Sequence, residues 1–438
     1  MALTDPLPIE PIRGPVDAVV VVPGSKSITN RALVCAGLAE GDSVLTAVLE
    51  ADDTIAMVEG LRALGIEVET DWPATTLRVR GCAGRPPAEL ALVDARLSGT
   101  TARFLLPVAA LGVGTTRIDG SLGLRARPMG HAVEALRALG ATVREVGGPG
   151  HLPLEVSEGP LPGGAVALPG DASSQFLSGL LLAAPAMRTG LQVALTTELV
   201  SRPYVDLTLA VMAAFGVQVA RPDDRSWAIE ASAYRGTTYA VEPDASAASY
   251  PFAAAAVLGG RVTVPGLGAG SLQGDLAFVD LLERMGAEVE RGLDATTVTG
   301  TGRLRGIDAD LSQHSDIAQT LAVVAAFAES PSRFTGIGFI RGKETDRVGN
   351  VVAELRRAGI DAEEEPDGYV VRPGEPKAAT IETYDDHRMA MAFALLGLRA
   401  EGIRIADPGC VAKTYPGYWA MLEGLRGGAG ASPKVPAS

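Results

Sequence analysis

Residues 98–111 read SGTTARFLLPVAAL, and this stretch decides the fold. A hydroxyl-rich start leads into a run that is apolar on every side of a helix, and such a helix belongs inside a core. The pattern returns five times: SKSITNRALVCAGLA from Ser25, DASSQFLSGLLLAA from Asp171, DASAASYPFAAAAVLG from Asp244, SDIAQTLAVVAAFA from Ser315 and DDHRMAMAFALLGL from Asp385. The six starts, at Ser25, Ser98, Asp171, Asp244, Ser315 and Asp385, are spaced 73, 73, 73, 71 and 70 residues apart. Each opens on a residue type that caps helix N-termini well.

A second helix type keeps the same period. It reads LRALGIEV at 61–68, ALRALGATV at 135–143, VMAAFGVQV at 211–219, LLERMGAEV at 281–289 and AELRRAGIDA at 353–362, and AMLEGLRGG at 420–428 is an incomplete sixth copy. Gly65, Gly140, Gly216, Gly286 and Gly359 predict left-handed C-caps, each followed by a strand of alternating apolar residues. A repeat of this βαβ type cannot bury its own sheet face, so copies must pack together, three to a domain. The expected domains are 1–24 plus 244–426, and 25–243, with a disordered tail at 427–438. The polar starts of the central helices are expected to face one interdomain cleft. Their unpaired N–H groups and positive dipole ends favour anions there by roughly 0.3–1 kcal/mol each.

Composition narrows the function. Lys plus Arg number 38 against 52 Asp plus Glu, a net charge of −14, which argues against nucleic acid or an anionic membrane as partner. No apolar run approaches the ~18 residues of a membrane span. Cys35, Cys82 and Cys410 form no CxxC pair, and the four histidines (131, 151, 314 and 387) show no HxH or HxxxH spacing. No metal or other cofactor is therefore expected, the thiols are read as inert, and a reducing cytoplasm fits.

Charged and hydroxylic residues gather at the polar starts and in a few loops. PGSKSITNR supplies Lys26, Ser27 and Arg31; SGTTAR supplies Gly99, Thr100 and Arg103; LRARPMG supplies Arg125 and Arg127. Ser173, Ser174 and Gln175 open the third start, and Ser201, Arg202 and Tyr204 lie in VSRPY. Asp316 stands in HSD, Lys343, Glu344, Asp346 and Arg347 in RGKETDR, Asp386, His387 and Arg388 in DDHR, and Lys413 in AKTYPGY. Singly, a lysine on a first turn is ordinarily solvated and a serine there is ordinarily a cap. Together they place cations at most of the expected cleft-facing ends. The Asp244 copy lacks nearby cations and is read as structural, and KETDR could alternatively be an exposed helix start.

In combination PGSKSxxNRAL, GTxxRF, RPMGH, SSQFLSGLLLAAP, SRPYVDLT, KETDR, DDHRMAMAF and AKTYPGY resemble the 5-enolpyruvylshikimate-3-phosphate synthase family, in that family's order, from about residue 8 to about 425. The resemblance implies an α/β fold of two inside-out domains, each of three βαβαββ units with buried parallel helices. It also implies a monomer that transfers the enolpyruvyl group of phosphoenolpyruvate to the 5-hydroxyl of shikimate 3-phosphate. Lys26, Ser27, Arg31, Ser173, Ser174, Gln175, Ser201, Asp316 and Lys343 would then hold shikimate 3-phosphate. Lys26, Gly99, Arg127, Gln175, Arg347, Arg388 and Lys413 would hold phosphoenolpyruvate, and Asp316, Glu344 and Lys26 would move protons. Two positions depart from the family's pattern. Phe339 stands where an asparagine is common, and Leu97–Ser98 replaces a commoner Asn–Ala.

The sister transferase acting on UDP-N-acetylglucosamine usually carries a cysteine in the loop before its ARP segment, whereas DGSLGLRARP at 119–128 has none. An inactive binding homologue would be expected to have lost Lys26, Asp316, Glu344 or Arg347, and all four are present.

Overall fold

In a computed structural model that describes residues 3–157, 159 and 161–427, the chain divides into two compact units. One comprises 1–23 with 242–438 and the other 24–241. The tail expected to be disordered lies outside the described residues, apart from Gly427.

Each unit is three copies of one motif. In the unit 24–241, strand Leu90–Asp94 runs parallel to Thr115–Asp119, which pairs antiparallel with Leu154–Ser157, itself antiparallel to Thr142–Glu145. Strands 164–168, 191–195, 226–229 and 220–223 repeat that order, and strands 238–240, 42–46, 76–80 and 67–71 do so again. The other unit carries the order in strands 16–19, 260–265, 295–300 and 288–291, and in 308–310, 332–335, 368–371 and 362–365. Burial alternates along the strands, as in Leu90–Asp94, where Ala91 and Val93 are buried while Leu90, Leu92 and Asp94 are exposed. Each sheet thus turns one face to the helices and the other to solvent.

The helices Lys26–Leu38, Gly99–Ala109 and Ser174–Ala183 pack together in one unit. Ala245–Leu258, Ala318–Ala325 and His387–Gly397 do so in the other. Every residue of Gly99–Ala109 is buried, Pro107 included, as the all-round apolar pattern requires. Ser25, Ser98, Ser173, Asp244 and Asp386 cap their helices by accepting from amides of Ile28, Thr101, Gln175, Ala247 and Arg388. Three starts differ from the sequence reading, the first being the Asp171 start, where the cap is Ser173 two residues later. Ser315 lies inside a 3₁₀ turn, Ser315–Ile317, instead of capping, and the last cap is Asp386, because Asp385 adopts a left-handed φ of 56° before it.

The five glycines have φ of 84°, 94°, 87°, 112° and 80°, the left-handed region where a side chain is strained. After Gly216 the strand begins only at Ala220, with a register shift between Ala220 and Asp223, so the expected VQV strand does not form. The chain's sixth copy is incomplete among the described residues, with a three-stranded sheet where the other five have four strands. Strands Ala379–Ile381 and Ile403–Ile405 pair in parallel, and Leu7–Pro8 from the N-terminus supplies the antiparallel neighbour, Leu7 opposite Ile405. Ile9, 5% exposed, follows that strand into the core. Gly397 permits this, since a Cβ there would lie 2.5 Å from that of Ile9.

The thiols of Cys35, Cys82 and Cys410 are not in disulfides, and no described helix is long and apolar enough to cross a membrane. Burial raises the Cys35 thiol to about 12 against the opposing pull of its Tyr234 and Arg31 neighbours. Removing the Ile9 side chain tests the closure of the sixth sheet. Ile9→Ala is expected to lower unfolding stability by about 2–5 kcal/mol, measured by denaturant titration.

Candidate active site

In the unit 24–241, most of the residues singled out in the sequence form linked sets at the starts of the central helices, whereas Arg125 pairs with Asp119 at an exposed position and Arg202 donates to the Asp224 carbonyl. Lys26 follows its cap directly, and its Nζ lies 3.2 Å from Oδ2 of Asp53, in the first turn of the helix Asp52–Ala63. The two side chains are only 14% and 4% exposed, so solvent screens this pair weakly. The Asp53 carbonyl also accepts from Thr101 Oγ1 at 3.3 Å, joining this pair to the next central helix.

Arg31 is buried and uses all three nitrogens on the protein. Nε donates to Thr208 Oγ1 at 2.8 Å, Nη1 to the Ser27 carbonyl at 2.8 Å and Nη2 to the Tyr204 carbonyl at 3.0 Å. Its Cζ lies 5.2 Å from the ring centroid of Phe104 and 5.9 Å from that of Tyr204. Burial lowers its pKa to about 10, still well above neutrality. Ser201 sits three residues before Tyr204 with φ 54°, and its carbonyl accepts from the Tyr204 amide at 3.1 Å. Arg31 therefore braces Ser27 and the turn that begins at Ser201.

Gln175 is fixed from both ends: Arg103 Nη1 donates to its Oε1 at 2.8 Å, and its Nε2 donates to Thr100 Oγ1 at 3.2 Å. Arg103 in turn lies 4.8 Å from the Phe176 ring centroid. Ser173 accepts from the Gln175 amide at 3.3 Å, and Ser174 is the first helical residue. Arg127 is 5% exposed and packs over Gly99, where a Cβ would lie 2.9 Å from its Cζ and both terminal nitrogens. Only a residue without a side chain lets the guanidinium come that close.

In the other unit, Arg347 is the hub. It is fully buried, with Nε 2.7 Å from Asp386 Oδ2 and Nη2 3.0 Å from Asp386 Oδ1, a bidentate pair. Nη2 also lies 2.9 Å from Glu344 Oε2, and Nη1 lies 3.5 Å from Asp316 Oδ1. Arg388 Nη2 donates to Asp316 Oδ2 at 2.8 Å, Lys343 Nζ is 3.8 Å from Asp316 Oδ1 and Lys413 Nζ is 4.0 Å from Glu344 Oε1. Burial works against the Arg347 charge, but Asp386, Glu344 and Asp316 outweigh it and raise its pKa. Four cations stand here against three carboxylates. Asp316 and Lys343, with side chains 16% and 18% exposed, are the most accessible of the seven.

KETDR is not an exposed helix start: Arg347 is buried, and the helix Gly349–Arg357 begins only after the motif. Phe339 places its ring centroid 5.9 Å from Lys343 Nζ, an aromatic face where an amide is common. The sequence reading left two carboxylates out of the site. Asp53 lacked any motif of its own, and Asp386 was named with DDHR but given no ligand or proton-transfer role; it caps its helix, accepting from Arg388 N at 2.9 Å. Among the described residues, no group of three or more His, Cys, Asp or Glu is arranged to hold a metal ion. Asp386→Ala would leave Arg347 buried without its closest partner. It is expected to lose about 3–5 kcal/mol of stability in urea unfolding.

A family model described as EPSP synthase (3-phosphoshikimate 1-carboxyvinyltransferase) matches residues 11–422. A protein named 3-phosphoshikimate 1-carboxyvinyltransferase from Nostoc punctiforme is 45% identical over 424 residues, 96% of this chain and 100% of that one. One of the same name from Methanosphaerula palustris is 44% identical over 412 residues, 93% and 97% of the two chains. The solved EPSP synthase of Acinetobacter baumannii superposes with a TM-score of 0.80 at 26% identity, covering 95% of this chain and 97% of its own. The enolpyruvyl transferase NikO of Streptomyces tendae gives 0.76 at 21% identity over 95% and 96%, a likeness that shows the fold alone. With the match spanning nearly the whole chain and both charged clusters inside it, the chain belongs to the EPSP synthase (3-phosphoshikimate 1-carboxyvinyltransferase) family.

Proposed function

We propose that this chain transfers the enolpyruvyl group of phosphoenolpyruvate to the 5-hydroxyl of shikimate 3-phosphate and releases phosphate. The observation that carries the reading is its 45% identity along the full length of a 3-phosphoshikimate 1-carboxyvinyltransferase. The geometry supports it, because the reaction needs fixed positive charge around two phosphates and two carboxylates, together with groups that exchange protons.

The donor's methylene carbon takes a proton while the acceptor hydroxyl attacks the adjacent carbon, giving a tetrahedral phosphate ketal. Loss of phosphate and of a methyl proton then restores the C=C bond, now as the acceptor's enol ether. Asp316 accepts the hydroxyl proton, supported by its accessibility and by the cations that orient both of its oxygens. Glu344 and Lys26 exchange protons with the methylene carbon. Ser173, Ser174 and Ser201 take the 3-phosphate, Gln175 lies against both substrates, and Lys343 holds the acceptor's hydroxyls. Ser27 also contacts the acceptor, with Arg31 bracing it from behind. Gly99, Arg127, Arg347, Arg388 and Lys413 receive phosphoenolpyruvate along with Lys26. Acid–base help supplies about 10²–10⁴-fold, so positioning and fixed charge must supply the rest of the acceleration. We further propose that the chain works as a monomer in the cytoplasm, in keeping with three cysteines outside any disulfide.

Phosphate release from phosphoenolpyruvate, with shikimate 3-phosphate and UDP-N-acetylglucosamine offered separately, decides the reading. Release with the first alone is expected. Release with the second alone, or binding of both substrates without release, would overturn it. Asp316→Ala is expected to lower turnover at least about 100-fold, the low end of what a positioned base supplies, with shikimate 3-phosphate still bound in calorimetry. Gly99→Ala should push on the Arg127 guanidinium and raise the KM for phosphoenolpyruvate about tenfold, equivalent to about 1.4 kcal/mol. The affinity for shikimate 3-phosphate should barely move.

A further inference from the structure

The segment that carries Lys343 and Glu344 has little regular structure of its own. Residues 336–348 form a 3₁₀ turn, Gly338–Gly342, followed by bends. An irregular stretch of this kind keeps side chains in place only if something outside it does the holding. In this structure the holder is the hairpin formed by Ala362–Glu365 and Gly368–Val371, whose turn is Pro366–Asp367.

Asp367 accepts from both ends of the segment's first turn. Its Oδ2 takes the Gly336 amide at 2.9 Å, its Oδ1 takes the Gly338 amide at 2.8 Å, and its carbonyl takes the Ile337 amide at 3.1 Å. Arg341 closes the other side. Nη2 donates to the Glu365 carbonyl at 2.8 Å, while Nη1 donates to Glu364 Oε1 at 2.7 Å and to Asp346 Oδ2 at 2.9 Å. Asp346, thus held, accepts the amides of Val348 and Gly349 at 3.0 and 2.9 Å and starts the next helix. Lys343, Glu344 and Arg347 lie between these anchor points.

The same hairpin is tied to the opposite side of the charged cluster. Tyr369 is buried, and its hydroxyl donates to the carbonyl of Ala318 at 2.8 Å, two residues beyond Asp316. One hairpin therefore grips the Asp316 turn at its root and the Lys343–Glu344 segment at its tip. Its own position is fixed by pairing with Ser332–Thr335.

We propose that Asp367 and Arg341 are positioning residues: through the hairpin they set the separation of Lys343 and Glu344 from Asp316. The proposal deepens the transferase reading and rests on it for its kinetic consequences. Six hydrogen bonds join the segment to the hairpin through these two residues, three accepted by Asp367 and three donated by Arg341. Misplacement by about 1 Å can cost about 100-fold in rate.

The test compares Asp367→Ala, Arg341→Ala and Arg341→Lys with Arg333→Ala. Arg333 pairs with the Glu365 carboxylate of the same hairpin at 3.0 Å and serves as the control. In each variant, amide exchange of peptides covering 336–349, the melting temperature, and kcat and KM for both substrates are measured. Asp367→Ala and Arg341→Ala should exchange about tenfold faster in 336–349 and lose about 10- to 100-fold in kcat, with each KM within about threefold and the melting temperature nearly unchanged. Arg341→Lys should recover part of the kcat, and Arg333→Ala should match the parent.

Unchanged exchange in 336–349 would show that the hairpin does not hold the segment. Faster exchange at the parent's kcat would show that holding it does not serve the reaction. A fall in activity matched by a fall in melting temperature would make the role merely structural. A parent that releases no phosphate would overturn the transferase reading instead, and the exchange measurement would still decide whether the latch exists.

Discussion

Six helices that are apolar on all sides must each be enclosed, and that requirement organises everything else in this chain. A helix such as Gly99–Ala109, with every residue buried, has no face to offer water. The sheets must therefore wrap it, turning their second face outward. Polar groups are then confined to the helix ends, where the caps and the unpaired N–H groups lie. The sequence had to place its chemistry there because burial left nowhere else for it.

The buried Arg347 and Arg31 meet the cost of charge at those ends differently. Around Arg347 the solution is compensation: Asp386 grips it bidentately, while Glu344 and Asp316 complete a set of alternating charges. Removing one partner from such a set exposes the others to an unpaid desolvation penalty. Around Arg31 no carboxylate is used. Two carbonyls, a hydroxyl and two aromatic faces receive the guanidinium, and its depressed pKa records that difference. The first arrangement sets carboxylates and cations side by side, whereas the second leaves a scaffold that orders its neighbours.

The repeats are alike in architecture and unlike in what they carry. Asp244 caps its helix as Asp386 does, and beside it Gln273 accepts from the Ala245 amide and donates to Glu242. The sixth copy borrows its last strand from residues 7–8, so the first residues of the chain close the sheet of the last copy. Duplication fixed the frame, and the chemistry was distributed over it unevenly.

Much of this was legible beforehand because its causes are local. A glycine at Gly65 or Gly286 announces a positive φ through its own sterics, and a serine followed by an apolar run announces a capped, buried helix through a hydrogen bond spanning three residues. Exceptions arose where local rules tied, as at Ser315, where a 3₁₀ turn took the place of a cap. The charged pairs were another matter. Lys26 with Asp53, Arg347 with Asp386 and Arg31 with Thr208, the last 177 residues apart, depend on which helix ends are brought side by side. The grip of Asp367 on the segment before Lys343 was equally invisible, since a turn aspartate is ordinarily solvated. Periodicity, capping and backbone sterics act over a few residues, so the sequence by itself determined the repeat, the buried helices and the residues at their ends. Coulomb and hydrogen-bond energies depend on distances through space, so only the tertiary structure decided which of those residues face one another.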